Sequence, residues 1–169
     1  MPENIRLKTG VIGLGALGAP VAALLLKAGH AVAVYDVRSE PLAALQKLGA
    51  RACASPAEVA MHSDIVISLV SDRAQTDDIV FGNNGMLDHL HAGAILAIGS
   101  TLGPEPVQHI AQALAARKVE VLDIPISGGI LAAREGKLSL MAGGRADTLA
   151  RAQPVLGVFA NQITHTGEV

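Results

Sequence analysis

The segment Thr9 to His30, TGVIGLGALGAPVAALLLKAGH, constrains the fold more than any other, because it joins a short apolar run to glycines 13, 15 and 18 and then to a run of alanine and leucine. That order spells a strand, a tight turn and a helix. The spacing has a physical purpose. A dinucleotide pyrophosphate must come close to backbone N–H groups at a helix N-terminus, where the helix dipole and unpaired donors favour negative charge. Gly13 would permit the tight turn, Gly15 would leave room for the pyrophosphate, and Gly18 would let the helix pack closely on the strand.

A GxGxxG turn in a glycine-rich chain is weak evidence alone, and Asp36 supplies the second point. It ends another apolar run, Ala31 to Tyr35, roughly 20 residues beyond the turn, where an acid accepts hydrogen bonds from the adenosine ribose hydroxyls. A carboxylate there pairs with a 2'-hydroxyl and repels a 2'-phosphate, so NAD is expected over NADP. Arg38, two residues on, could reach a phosphate and keeps NADP possible.

Downstream, helical patterns alternate with short apolar runs, with no repeat or low-complexity tract. This is βαβ logic and predicts one α/β domain over residues 1–169, a Rossmann-type doubly wound, mainly parallel sheet with helices on both faces. Strands are expected near 9–12, 31–36, 50–53, 65–70, 94–98, 119–122, 138–142 and 163–165. Helices are expected near 17–28, 39–48, 72–81, 104–117 and 146–158. Gly29 closes the first helix, and Ser55-Pro56-Ala57-Glu58 has the form of a capping box that opens a short one. Residues 123–129, DIPISGG, read as irregular. Ligands of such sheets bind at the carboxyl ends of the strands, which gathers the glycine turn, Asp36, the segment after Leu69, Ser100-Thr101 and Ser127-Gly128-Gly129 around one crevice.

Composition excludes several alternatives. Half of the 169 residues are apolar, 17% are charged and the net charge is -2, which describes a globular domain with a sizeable core. The single Cys53 permits no internal disulfide and reads as a small buried apolar residue in a reducing, cytoplasmic setting. Tyr35, Phe81 and Phe159 are the only aromatics, and no basic run is present, so neither the stacking platforms nor the electrostatic footprint of a nucleic-acid binder is found. Arg6 and Lys8 precede an uncharged stretch to Leu26, and Ala31-Val32-Ala33 resembles a signal-peptidase site, but cleavage there would remove the first strand and helix. The stretch is also too short and glycine-rich for a membrane span. His89-Leu90-His91 lacks companion ligands at suitable spacing, so no metal site is expected.

GLGALGAPVAALLLKAGH, GNNGML, GSTLGPEP and DIPISGGILAAREGKLSLMAGG resemble, in order, the signatures of the β-hydroxyacid dehydrogenases, the group of 3-hydroxyisobutyrate and 6-phosphogluconate dehydrogenases. The resemblance implies an NAD(P)-dependent oxidoreductase acting on a small hydroxy acid, homo-oligomeric as a whole protein. Residue by residue it implies that Gly13, Leu14, Gly15, Ala16, Leu17 and Gly18 hold the pyrophosphate. Leu69, Val70 and Ser71 would line the cofactor, and Thr101 would stand near the nicotinamide. Ser127, Gly128 and Gly129 would receive a small substrate carboxylate, a role that successive N–H groups in a glycine-rich turn can also fill on physical grounds. Thr101 could also be the N-cap of the helix entered at Pro104. Gly99 stands where the family often has a larger residue, and Ile130 and Leu131 offer no ligand for a substrate phosphate.

The family's general acid and base is a lysine on a long helix after this domain. No lysine here matches it: Lys137 lies inside the GKLSL signature, and Lys27 and Lys47 fall on surface helices. That lysine and the helical substrate domain are expected beyond the position of Val169, so the 169-residue chain should bind dinucleotide yet turn over poorly. The alternative is a dinucleotide-binding or sensing module with no reaction of its own.

Overall fold

The computed structural model describes residues 6–169. In chain order the elements are β1 (Thr9–Ile12), α1 (Gly18–Lys27), β2 (Val32–Tyr35), α2 (Ser39–Lys47), β3 (Arg51–Ala52), α3 (Pro56–Met61), β4 (Ile65–Ser68) and α4 (Arg73–Phe81). Then follow β5 (Ile95–Ile98), α5 (Pro104–Ala115), β6 (Glu120–Asp123), β7 (Ile126–Ser127), α6 (Gly129–Glu135), β8 (Leu138–Gly143), α7 (Ala146–Leu156) and β9 (Ala160–Gly167).

Local chemistry sets most boundaries. Gly29, at φ +85, follows α1, and the His30 N–H donates back to the Leu25 carbonyl at 3.0 Å, closing the helix as a Schellman turn. Ser55 Oγ accepts from the Glu58 N–H at 3.2 Å. Glu58 in return accepts from the Ala54 N–H at 2.7 Å, one residue upstream of the usual capping-box partner.

Strands β3-β2-β1-β4-β5-β6 lie side by side in that order and all run parallel. Every residue of β1, β4 and β5 is buried, as expected where helices cover both faces. One core cluster includes Val21, Leu25, Ile65, Ile67 and Phe159. The other holds Val66, Leu96, Ile98, Ile110 and Leu114, together with Cys53. Burial first, then the nearby Glu58 charge, pushes the Cys53 thiol up to about 11, so it is an inert core group at neutral pH.

Residues 123–129 are more ordered than their composition suggested. They form the two-residue β7 and enter α6 through Gly128 and Gly129, at φ +127 and +70. A seven-residue helix with only Ala133 buried carries too little periodicity to be read from sequence. β8 reverses the direction of the sheet. It pairs antiparallel with β6 through Asp123 and Gly143 and with β7 through Ile126–Leu140 and Ser127–Ser139. β9, longer than the segment 163–165 expected, runs parallel to β8. The sheet is therefore mainly parallel, with β8 and β9 running opposite to the other seven strands.

Lys118, between α5 and β6, is the one non-glycine described residue in the left-handed region, at φ 59. Its N–H donates to the Ala115 carbonyl and its carbonyl accepts from Gly93. Relief of that backbone strain makes Lys118→Gly stabilising by about 0.5–1 kcal/mol, to be read as a higher urea midpoint with an unchanged slope.

Candidate functional site

The reversal of strand order between β1 and β4 leaves a crevice at their carboxyl ends, and the turn after β1 fills one side of it. The Gly13 N–H donates to the Tyr35 carbonyl at 3.0 Å, which fixes the turn to β2. Gly13 sits at φ +87, and a Cβ on it would lie 2.7 Å from the Leu69 carbonyl. A Cβ on Gly18 would collide with the Gly13 carbonyl. Gly15 differs, since no atom lies within 4 Å of the place a Cβ would occupy. Two of the three glycines let backbones touch; the third leaves open space.

That space faces the start of α1, whose N-cap Leu17 makes no side-chain hydrogen bond and whose first turn holds no acid. The helix end carries neither a carboxylate nor a hydroxyl of its own to meet its positive pole, which suits an anion. The residues present thus fit the diphosphate of a dinucleotide. Ala16 is exposed, and Leu17 packs against the core.

Asp36 terminates β2 with its side chain 7% exposed. Its Oδ2 accepts from the Leu14 N–H at 2.7 Å, and its Oδ1 accepts from the Arg38 N–H at 2.9 Å. The Arg38 guanidinium adds Nε to Oδ1 at 2.9 Å and Nη2 to Oδ2 at 3.1 Å. Burial alone would raise the Asp36 carboxyl, but the guanidinium and the two backbone N–H groups outweigh it and hold it below the usual carboxylate value. It is ionised at neutral pH.

Leu69, Val70 and Ser71, after β4, form the facing wall of a cleft of about 440 Å³ that also takes in Gly13, Gly15, Asp36 and Arg38. The Ser71 N–H is held by Gln75 Oε1 at 3.0 Å. The next loop is tied to this wall, because Ser100 Oγ donates to the Val70 carbonyl and the Gly99 N–H donates to the Ser68 carbonyl at 2.8 Å. Gly99 has a local reason: a Cβ there would lie 2.6 Å from Leu69 Cδ2 and 3.2 Å from Ile126 Cδ1. The contact with Ile126 brings the Ser127-Gly128-Gly129 turn beside the same loop. All three residues of that turn are exposed.

The cleft therefore gathers Gly13, Gly15, Asp36, Arg38, Leu69, Val70 and Ser71, while Leu14, Ala16, Leu17, Gly18, Thr101, Ser127, Gly128 and Gly129 lie outside its lining. Thr101 is not the N-cap of α5. Gly103 takes that position, at φ +83, because Leu102 and Gly103 intervene before Pro104. Residues that the sequence does not assign to the site also line the cleft, among them Tyr35, Val37, Gln75, Asp78 and Ile79. The signal for the last three was available, since 75, 78 and 79 share one face of α4. Asp77 points elsewhere and meets Arg73 at 3.5 Å. Ile130 is not part of the cleft's lining; it lines an adjoining apolar groove of about 580 Å³ with Ala19, Leu24, Leu45 and Leu48, which shares Gly15 with the cleft. Among the described residues, no three His, Cys, Asp or Glu side chains are grouped to hold a metal. No described helix is long and apolar enough to cross a membrane.

An open glycine at an uncapped helix start, an ionised acid at the end of the neighbouring strand and the 3-2-1-4-5-6 order define a Rossmann-type dinucleotide-binding domain. The family pattern described as the NAD binding domain of 6-phosphogluconate dehydrogenase matches residues 8–167. The 3-hydroxyisobutyrate dehydrogenase of Pseudomonas aeruginosa is 37% identical over 157 residues, 93% of this chain and 53% of that protein. The L-threonate dehydrogenase of Cupriavidus necator is 36% identical over 167 residues, 99% and 55% of the two chains. The crystal structure of 3-hydroxyisobutyrate dehydrogenase from Salmonella typhimurium matches with a TM-score of 0.91 at 31% identity, over 96% of this chain and 56% of that one. The chain belongs to the β-hydroxyacid dehydrogenase family and corresponds to its N-terminal NAD(P)-binding domain. It spans about half the length of the curated relatives it matches.

The glycines separate fold from binding. Gly15→Val should leave the melting temperature nearly unchanged while weakening NADH binding, read by fluorescence titration, at least about tenfold, or about 1.4 kcal/mol. Gly13→Ala should instead lower stability by about 2–4 kcal/mol in urea unfolding, through its positive φ and its collision with Leu69.

Proposed function

We propose that the chain is the cofactor domain of an oxidoreductase that moves a hydride between the carbinol carbon of a small hydroxy acid and nicotinamide. The observation that carries this reading is the meeting, in one cleft, of the open Gly15 at the uncapped start of α1 with the ionised Asp36. Bound there, the dinucleotide would supply the hydride acceptor or donor. The protein's own part is to hold and orient it. Backbone N–H groups along Gly13, Leu14, Gly15, Ala16, Leu17 and Gly18 would take the diphosphate, Asp36 would meet the adenosine ribose hydroxyls, and Arg38 would reach a 2'-phosphate where one is present. Leu69, Val70 and Ser71 would wall the nicotinamide side, with Thr101 beside it.

The substrate's carboxylate would be received by the Ser127 hydroxyl and the N–H groups of Gly128 and Gly129. Support comes from their positive φ values and from the open space at Gly129, where no atom lies within 4 Å of a Cβ position. Relatives bear the names of dehydrogenases of different hydroxy acids, 3-hydroxyisobutyrate and L-threonate, so the substrate is proposed only as a small hydroxycarboxylate. The general acid and base would be the family's lysine, outside residues 1–169, with the helical substrate domain around it. Residence in the cytoplasm and a homo-oligomeric parent protein complete the proposal.

NAD is preferred over NADP on the charge of Asp36. Calorimetry of the 169-residue chain should give a tighter Kd for NAD, with no turnover of a small hydroxycarboxylate above background. Equal or tighter NADP binding would overturn the preference, and turnover typical of such enzymes would overturn the assignment of the lysine. Binding of NAD without any effect of a substrate-like carboxylate would favour a non-catalytic dinucleotide module.

The depressed Asp36 carboxyl gives a pH signature of definite sign. A group lowered by folding contributes stability above its unfolded value, about 3.9, and loses that contribution as pH falls through its lower folded value. NAD affinity should therefore be flat from about pH 8 to pH 5 and fall only in stronger acid. Asp36→Asn should weaken NAD at neutral pH at least about tenfold and abolish that acid limb.

A further inference from the structure

The hydrogen bonds on Asp36 add up to more than a vacant acceptor for a ribose. An ionised carboxylate offers about four lone-pair positions, and four donors already reach this one. The Leu14 N–H at 2.7 Å and the Arg38 Nη2 at 3.1 Å reach Oδ2, while the Arg38 N–H and Nε, both at 2.9 Å, reach Oδ1. The two backbone donors are fixed by the turn. The two guanidinium donors are not, because the Arg38 side chain is 56% exposed. These movable donors sit one on each oxygen, the arrangement in which the neighbouring 2'- and 3'-hydroxyls of a ribose would donate.

We propose that Arg38 is a built-in competitor at the adenosine-ribose site, displaced from Asp36 by the vicinal diol of NAD and turned onto the 2'-phosphate of NADP. The inference rests on the dinucleotide reading of this cleft. It follows that Arg38 penalises NAD and supports NADP, so its removal must move the two affinities in opposite directions. The penalty is modest, since a guanidinium so exposed forms an ion pair of small net strength. Nη2 also donates to the Leu14 carbonyl at 3.1 Å, so a purely structural role for Arg38, bracing the glycine turn, would weaken both dinucleotides together.

The test is calorimetric titration of the wild-type chain, Arg38→Ala and Arg38→Lys with NAD and with NADP, alongside thermal melting. The expected result is NAD binding tightened about twofold to fivefold in Arg38→Ala and NADP binding weakened at least about tenfold. Arg38→Lys, which keeps the charge but cannot fork across both oxygens, should also tighten NAD while retaining part of the NADP affinity. NAD binding that is unchanged or weaker in Arg38→Ala, while the wild type still binds NAD, would overturn the competitor and leave the dinucleotide reading intact. A wild-type chain that binds neither dinucleotide would overturn both.

Discussion

The carboxyl edge of this sheet depends on three backbone segments meeting with no side chain between them. The Gly13 turn lies against Leu69, and the first residue of α1, Gly18, lies against the Gly13 carbonyl. Because the Leu69 N–H also donates to the Ile12 carbonyl at 2.8 Å, the turn, α1 and the end of β4 form one rigid corner. The neighbouring loops are hung from it: Ser100 is bonded to Val70, Gly99 passes under Leu69, and Ile126 packs beside Gly99. Displacing the corner would move every candidate binding residue at once.

Asp36 gives that corner its polarity. Its carboxylate reaches back 22 residues to the Leu14 N–H and is kept charged by the donors around it, so a negative group stands beside a positive helix end that has no acid of its own. The two signs stand side by side in one cleft, which suits a ligand that joins a diphosphate to a hydroxyl-bearing sugar.

Much of this was legible in the sequence where a single residue type solves a local steric or hydrogen-bonding problem. Gly13, Gly18 and Gly29 mark backbone conformations or contacts that a side chain would obstruct, Ser55 announces a helix start, and the continuous apolar run of β4 announces burial on both faces. What was not legible depended on partners distant in the chain. The reversal at β8 is decided by pairing with β6, β7 and β9, and nothing within residues 138–143 specifies a direction. α6 was hidden by its brevity. Thr101 was misassigned as a possible cap because a hydroxyl three residues before Pro104 fits the pattern, whereas Gly103 at positive φ makes the actual entry to α5. At the site, Asp36 was found by its spacing, but its saturation by Arg38 is a property of geometry alone.

The unequal burdens of the three glycines also bear on descent. A lineage released from the need to hold a dinucleotide could not readily discard Gly13 or Gly18, because the corner of the sheet would go with them; it could discard Gly15 at little expense. Among diverged copies of such a domain, the middle glycine is therefore the informative one: its loss marks a fold kept for another purpose, and its persistence marks selection by the ligand rather than by folding.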